Sequence, residues 1–214
     1  MYFSTYRNAQ EAFEDLYPQI MLFGHDSNGT KQMHNVGFTI KNPMDNIINT
    51  SWRKWKNSYS EQEWQWYLSA NPNAEEISKT AKIWVGLMDE FGNVNSNYGH
   101  QWSRGNQLNR VIEMLKYIPD TRRASISIYD GKELDKYSLD TPCTYAINFY
   151  KDSNDCLSMQ VLMRSNDLVY GFCNDQYCFS KLQELVANEL GWKIGTYFHL
   201  ACNMHIYKRH FDMI

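Results

Sequence analysis

TPCTYAINFYKDSNDCLSMQVLMRSNDLVYGFCND, residues 141–175, is the stretch that decides the fold. Two apolar segments, 143–150 and 156–163, flank the polar turn Lys151-Asp152-Ser153-Asn154-Asp155. That alternation of apolar run, polar turn and apolar run predicts a β-hairpin. Neighbouring antiparallel strands lie about 5 Å apart, so the hairpin brings Arg164 back to Cys143, 21 positions earlier in the chain. A guanidinium beside a thiol favours the thiolate, the nucleophilic form. Cys143 is therefore a candidate nucleophile. The alternative is a strand cysteine packed as a small hydrophobe, the commoner fate of a free cysteine.

Outward from the hairpin, the chain alternates helical and extended patterns. Residues 6–22 space Ala12, Phe13, Leu16 and Tyr17 as one helical face, with Pro18 near its end. His25-Asp26-Ser27-Asn28-Gly29 reads as a turn and 33–40 as a strand. Residues 60–68 read as a helix capped by Ser60, with Glu63 in the capping-box position. Helical character continues over 74–84, and a polar loop at 89–97 leads to Tyr98-Gly99. A helix over 107–117, a strand over 124–128, a helix over 179–190 ended by Gly191 and a last strand over 197–206 complete the pattern. Helices on both sides of a run of strands point to a single α+β domain spanning 1–214.

Composition narrows the function classes. A formal net charge of −3 gives no basic footprint for wrapping nucleic acid, although a local cluster could hold one phosphate. Five cysteines at irregular spacing form neither a disulfide framework nor a zinc motif, so no metal is expected and a reducing, cytoplasmic setting fits. The start, Met1-Tyr2-Phe3-Ser4-Thr5, has no signal-peptide pattern, and no apolar run approaches the ~20 residues that span a bilayer. Seven tryptophans and fifteen tyrosines suit pockets for flat ligands, but aromatics equally fill ordinary cores.

Pro142-Cys143, Asn148-Phe149-Tyr150 and Arg164-Ser165-Asn166-Asp167 together resemble the core of the thymidylate synthase family. The resemblance extends, in the family's order, through Glu63-Trp64-Gln65-Trp66-Tyr67-Leu68, Ile83-Trp84, Tyr98-Gly99-His100-Gln101-Trp102, Pro119-Asp120-Thr121-Arg122-Arg123 and His205-Ile206-Tyr207. It implies that family's fold, a mixed sheet with flanking helices. It also implies a Cys143 thiolate that adds to carbon 6 of a pyrimidine nucleotide, 5,10-methylenetetrahydrofolate as one-carbon donor, and Glu63 as the proton-transfer carboxylate. Arg164 and Ser165 would hold the phosphate, and Arg122 and Arg123 would reach into the other subunit's site of a homodimer. His205 and Tyr207 would bind the sugar hydroxyl, with Tyr98 and Asp167 as further substrate contacts. Ile83, Trp84, Asp167 and Gly171 would face the folate. An isolated Arg-Arg pair or strand histidine is by itself an ordinary surface or structural feature. The family's phosphate-binding loop arginine is missing from Asp26-Ser27-Asn28-Gly29, where Lys31 is the nearest substitute.

Two departures from the methylating pattern bear on base and product. Counted ungapped from Arg164-Ser165, Asp175 falls where thymidylate synthases carry the asparagine that reads uracil. A carboxylate accepts from cytosine's amino group and repels uracil's carbonyl. The change resembles the deoxycytidylate (dCMP) hydroxymethylase branch, of the kind viruses encode to modify DNA precursors. Two other readings of this position are that Asn174 occupies it instead, or that Asp175 caps the following helix. The chain's end at Ile214, Asp140 near the nucleophile and Thr144 after it favour water addition, giving hydroxymethyl, over hydride transfer, giving methyl. The rival expectations are a methylating relative acting on dCMP or dUMP and a catalytically silent nucleotide binder.

Overall fold

A computed structural model describes residues 2–214. Strand β1 (Tyr2–Tyr6) leads into helix α1 (Ala9–Phe23), which Asn8 caps by accepting from the Glu11 amide at 2.9 Å. Ala12, Phe13, Leu16, Tyr17 and Ile20 of α1 are buried against the sheet, as their spacing requires. Pro18 lies inside the helix, which runs on to Phe23. The turn expected at 25–29 is a hairpin: β2 (His25–Ser27) and β3 (Thr30–Ile40) meet at Asn28 and Gly29, both with positive φ. Next come α2 (Asn57–Leu68), α3 (Glu75–Thr80), a 3-10 turn over Lys82–Gly86, α4 (Tyr98–Ser103) and α5 (Gln107–Tyr117).

The second half builds the centre of the sheet. It comprises β4 (Ser125–Ser127), β5 (Thr144–Lys151), β6 (Cys156–Met163), the short β7 (Asn166–Asp167), a π turn over Leu168–Phe172, α6 (Cys173–Leu190) and β8 (Lys193–Tyr207). The order is β1-β3-β8-β6-β5-β4, with β2 beside β3 and β7 beside β8. Strands β1/β3 and β6/β8 run parallel, whereas β3/β8 and β5/β6 are antiparallel. The chain thus has the expected α+β architecture with a mixed sheet, here of eight strands. Gly191 ends α6 in the left-handed region (φ 69°). No helix among the described residues is long and apolar enough to cross a membrane.

One local expectation is overturned. Helix α2 begins at Asn57, a turn before Ser60, and its N-cap Lys56 makes no side-chain cap. Ser60 is therefore interior to the helix and donates to Asn174 Oδ1 at 2.7 Å, so Glu63 has no capping-box role.

Candidate active site

The hairpin forms as its sequence predicts. The Arg164 amide donates to the Cys143 carbonyl (2.8 Å), and a register shift between Thr144 and Ala146 puts a β-bulge immediately after the cysteine. Bulges of this kind re-aim a neighbouring side chain. The Arg164 guanidinium is anchored on the carbonyls of Pro142 (3.0 Å) and Thr141 (2.8 Å), with Nη2 3.7 Å from the Cys143 sulfur. The electrostatic outcome is the reverse of the sequence expectation. Burial pushes the Cys143 thiol up to about 11, and although Arg164 pulls it down, Asp175 and Asp140 add to the rise. The cost of desolvating a thiolate beside two carboxyls exceeds what one guanidinium returns.

Around this sulfur lies a cavity of about 380 Å³. Its walls contain Glu63, Ile83, Trp84, Tyr98, Cys143, Arg164, Ser165, Asp167, Gly171, Asp175, His205 and Tyr207, which are the predicted site residues except Arg122 and Arg123. Those two arginines are exposed on the segment before β4 and line no part of it. Lys31 is also outside the cavity, with Nζ 3.8 Å from the Asp26 carboxylate. Asp140 lines the wall, accepting from the Ser96 amide (2.6 Å) and hydroxyl (2.7 Å), whereas Thr144 is fully buried and does not.

Glu63 projects from α2 and is only 5 % exposed; burial pushes its carboxyl up to about 7, against the pull of hydrogen bonds from Tyr59 and Tyr67. A carboxyl titrating there can take or give a proton near neutral pH. The Tyr59 hydroxyl donates to Glu63 Oε1 (3.1 Å) and accepts from Trp84 Nε1 (2.9 Å), tying the carboxyl to the indole. Tyr59 escaped the sequence analysis, although its i, i+4 spacing from Glu63 puts both on one helical face.

Asp175 sits in the first turn of α6 but caps nothing; its Oδ2 accepts from Asn166 Nδ2 at 2.7 Å. Burial, reinforced by nearby Glu63, holds its carboxyl well above the usual range, which favours its protonated form. In that form it presents one donor and one acceptor, where an acceptor-only carboxylate is expected from sequence. The neighbouring Asn174 has its side-chain oxygen engaged by Trp55 Nε1 (2.9 Å) and Ser60 Oγ (2.7 Å), a structural role. His205 is steadied by Asn203 Oδ1 (3.1 Å) and lies edge-on to Tyr207 (5.1 Å between centroids). Asp167 accepts from the Val169 amide (2.9 Å), which starts the π turn.

Beside this cavity opens a second chamber of about 880 Å³ that shares Tyr59, Ile83, Asp167, Tyr170, Asn174 and Tyr207 with it. Its other walls include Arg53, Lys54, Lys56, Lys82 and Arg209. A cavity lined by Glu63, Asp140, Asp167 and Asp175 thus opens beside a larger, cation-rimmed chamber.

Comparison with known proteins agrees with this architecture. A family model described as thymidylate synthase matches residues 11–214, and the chain belongs to that family. It is 30 % identical over 200 residues to a thymidylate synthase of Bacillus licheniformis, covering 87 % of this chain and 71 % of the relative. It is 29 % identical over 175 residues to thymidylate synthases of Bacillus mojavensis and Bacillus phage phi3T, covering 78 % of this chain and 62 % of each relative. Members of the family are one-carbon transferases that use methylenetetrahydrofolate, bind a pyrimidine nucleotide and work as dimers. The cation-rimmed chamber, with Ile83 at its junction with the cavity and Trp84 on the cavity side, fits that folate.

Proposed function

We propose that the chain is a folate-dependent 5-hydroxymethyltransferase acting on dCMP, a single domain over residues 1–214 that works as a homodimer. Asp175 carries this reading. It lines the cavity that holds the Cys143 sulfur, one of its oxygens is fixed by Asn166, and burial favours the protonated form, whose donor and acceptor match cytosine's ring acceptor and amino donor. Cys143 forms the sulfur bond to carbon 6 of the base, and the displaced electron pair makes carbon 5 nucleophilic. Because burial pushes the thiol up to about 11, its proton passes to solvent as the sulfur–carbon bond forms. When bound, 5,10-methylenetetrahydrofolate supplies a one-carbon unit at the oxidation level of formaldehyde. Glu63 exchanges the protons that carbon 5 and its substituent gain and lose. Arg164 and Ser165 hold the phosphate, while His205 and Tyr207, with Tyr98 and Asp167, hold the sugar and base. Ile83, Trp84, Asp167 and Gly171 bound the folate side.

Water addition is supported by Asp140, whose carboxyl in the cavity wall offers water a partner where hydride transfer needs a dry surface. Arg122 and Arg123, exposed and outside their own cavity, suit a phosphate in the other subunit's site. The sheet supports such pairing, because the register partners Leu162 and Leu200 are only partly covered and Phe3, 59 % exposed, stacks on Phe198. A second reading, methyl transfer to dUMP or dCMP, is favoured by Trp84 in the wall and by the names of the relatives.

Incubation with methylenetetrahydrofolate and dCMP, dUMP or CMP carrying tritium at carbon 5 separates these readings. Release from dCMP with a hydroxymethylated product is expected. Dihydrofolate formation with a methylated product would establish the second reading, and no release from any nucleotide would make the chain a silent binder.

A further inference from the structure

Behind Asp175 runs a line of buried polar groups that none of these roles uses. Asn166 Nδ2 donates to Asp175 Oδ2 (2.7 Å), so the other end of the same amide, Oδ1, is an acceptor. Facing that oxygen at 3.1 Å is His199 Nε2, which must therefore carry the ring hydrogen. The opposite ring nitrogen, Nδ1, is left to accept from the Tyr197 hydroxyl at 2.7 Å. Each bond fixes the direction of the next, from Tyr197 through His199 and Asn166 to Asp175. Tyr197 and His199 are completely buried and Asn166 is 3 % exposed. The imidazole lies face-on to Phe38 (5.1 Å, 21°) and edge-on to Phe172 (5.5 Å), and burial alone pushes it down to about 3. It is a neutral ring in one tautomer, not a proton carrier. Gly171 makes room for the line, since a Cβ there would stand 2.9 Å from Asn166 Nδ2 and 3.4 Å from Asp175 Oδ2.

We propose that His199 is a positioning residue for base selection: through Asn166 it locks Asp175 with Oδ2 as acceptor, so the carboxyl shows the base one fixed order of donor and acceptor. The proposal rests on Asp175 reading the base. In the protonated form that burial favours, a carboxyl whose oxygens can trade places serves cytosine in one arrangement and uracil in the other. Asn166 pins Oδ2 and leaves the proton on Oδ1. The amide of Asn166 could turn over only with His199 in its other tautomer, and the hydrogen then on Nδ1 would deprive the buried Tyr197 hydroxyl of its acceptor. The histidine thus blocks the arrangement that would admit the wrong base.

The test compares equilibrium binding of dCMP and dUMP to the intact chain and to His199→Phe, which keeps the ring between Phe38 and Phe172 but removes both nitrogens. Selectivity for dCMP is expected to fall about tenfold, the worth of one well-made buried hydrogen bond, mainly through tighter dUMP binding. His199→Gln, whose amide can still donate to Asn166, should recover part of it. A folded His199→Phe protein with unchanged selectivity overturns the role of His199. Equal binding of both nucleotides by the wild-type chain is a different result, and sinks the dCMP assignment itself. Should His199→Phe not fold, the ring nitrogens of the wild-type protein decide by ¹⁵N spectroscopy: a hydrogen on Nε2 and a bare Nδ1 support the lock, and a hydrogen on Nδ1 overturns it.

Discussion

At Cys143 a cation and a low-dielectric setting pull in opposite directions, and burial outweighs the cation. Replacing Arg164 with Gln removes the one group that lowers the thiol, so its titration should rise further above about 11. The rate of alkylation at Cys143, followed against pH by mass spectrometry, reads this directly; an unchanged or lower inflection would show that Arg164 exerts no field on the sulfur. Glu63 offers the complementary case. Tyr59 donates to its charged form, so Tyr59→Phe should move the carboxyl above about 7 and carry the inflection of kcat against pH upward with it. The loss in kcat should be smaller than the roughly 10²-fold or more that removal of a general acid–base group itself costs. An inflection that stays in place would mean that Tyr59 only packs.

Among the elements, what could be read from sequence follows from how local the contact is. The Cys143–Arg164 pairing depends only on one hairpin, and strand β6 occupies the expected span from Cys156 to Met163. Asp175 could be placed because a short ungapped offset fixes it relative to Arg164. Asn166 could not be joined to His199 and Tyr197 as a unit, since it reaches them from 33 positions away, where β7 lies beside β8. Strand β1 escaped notice for the same reason: its five residues are held by parallel register with β3, some thirty positions away. The start of α2 was misplaced because Ser60 has the right type for a cap, while tertiary contact with Asn174 uses it inside the helix. Helix α4 rests so closely on α2 that a Cβ on Gly99 would overlap the Tyr67 backbone. Gly99→Ala should therefore cost about 3 kcal/mol, the upper range for overpacking. Chemical unfolding measures it, and a change near zero would mean that the two helices separate without loss.

For the whole molecule, the mixed sheet brings residues from Tyr59 to Tyr207 to one cavity but leaves Arg122 and Arg123 outside. If these complete the partner's site, Cys143→Ala mixed with an Arg122→Ala/Arg123→Ala protein should regain activity that neither has alone. Hybrid dimers then contain one site with an intact sulfur and intact arginines. A mixture as inactive as its components would confine the arginines to their own subunit. The most direct test of the account is the ratio of tritium released from dCMP to that from dUMP in wild type and in Asp175→Asn. The ratio should favour dCMP in the wild-type protein and shift toward dUMP in the variant. A ratio that does not move on exchanging this carboxyl for an amide would contradict Asp175 as the group that reads the base.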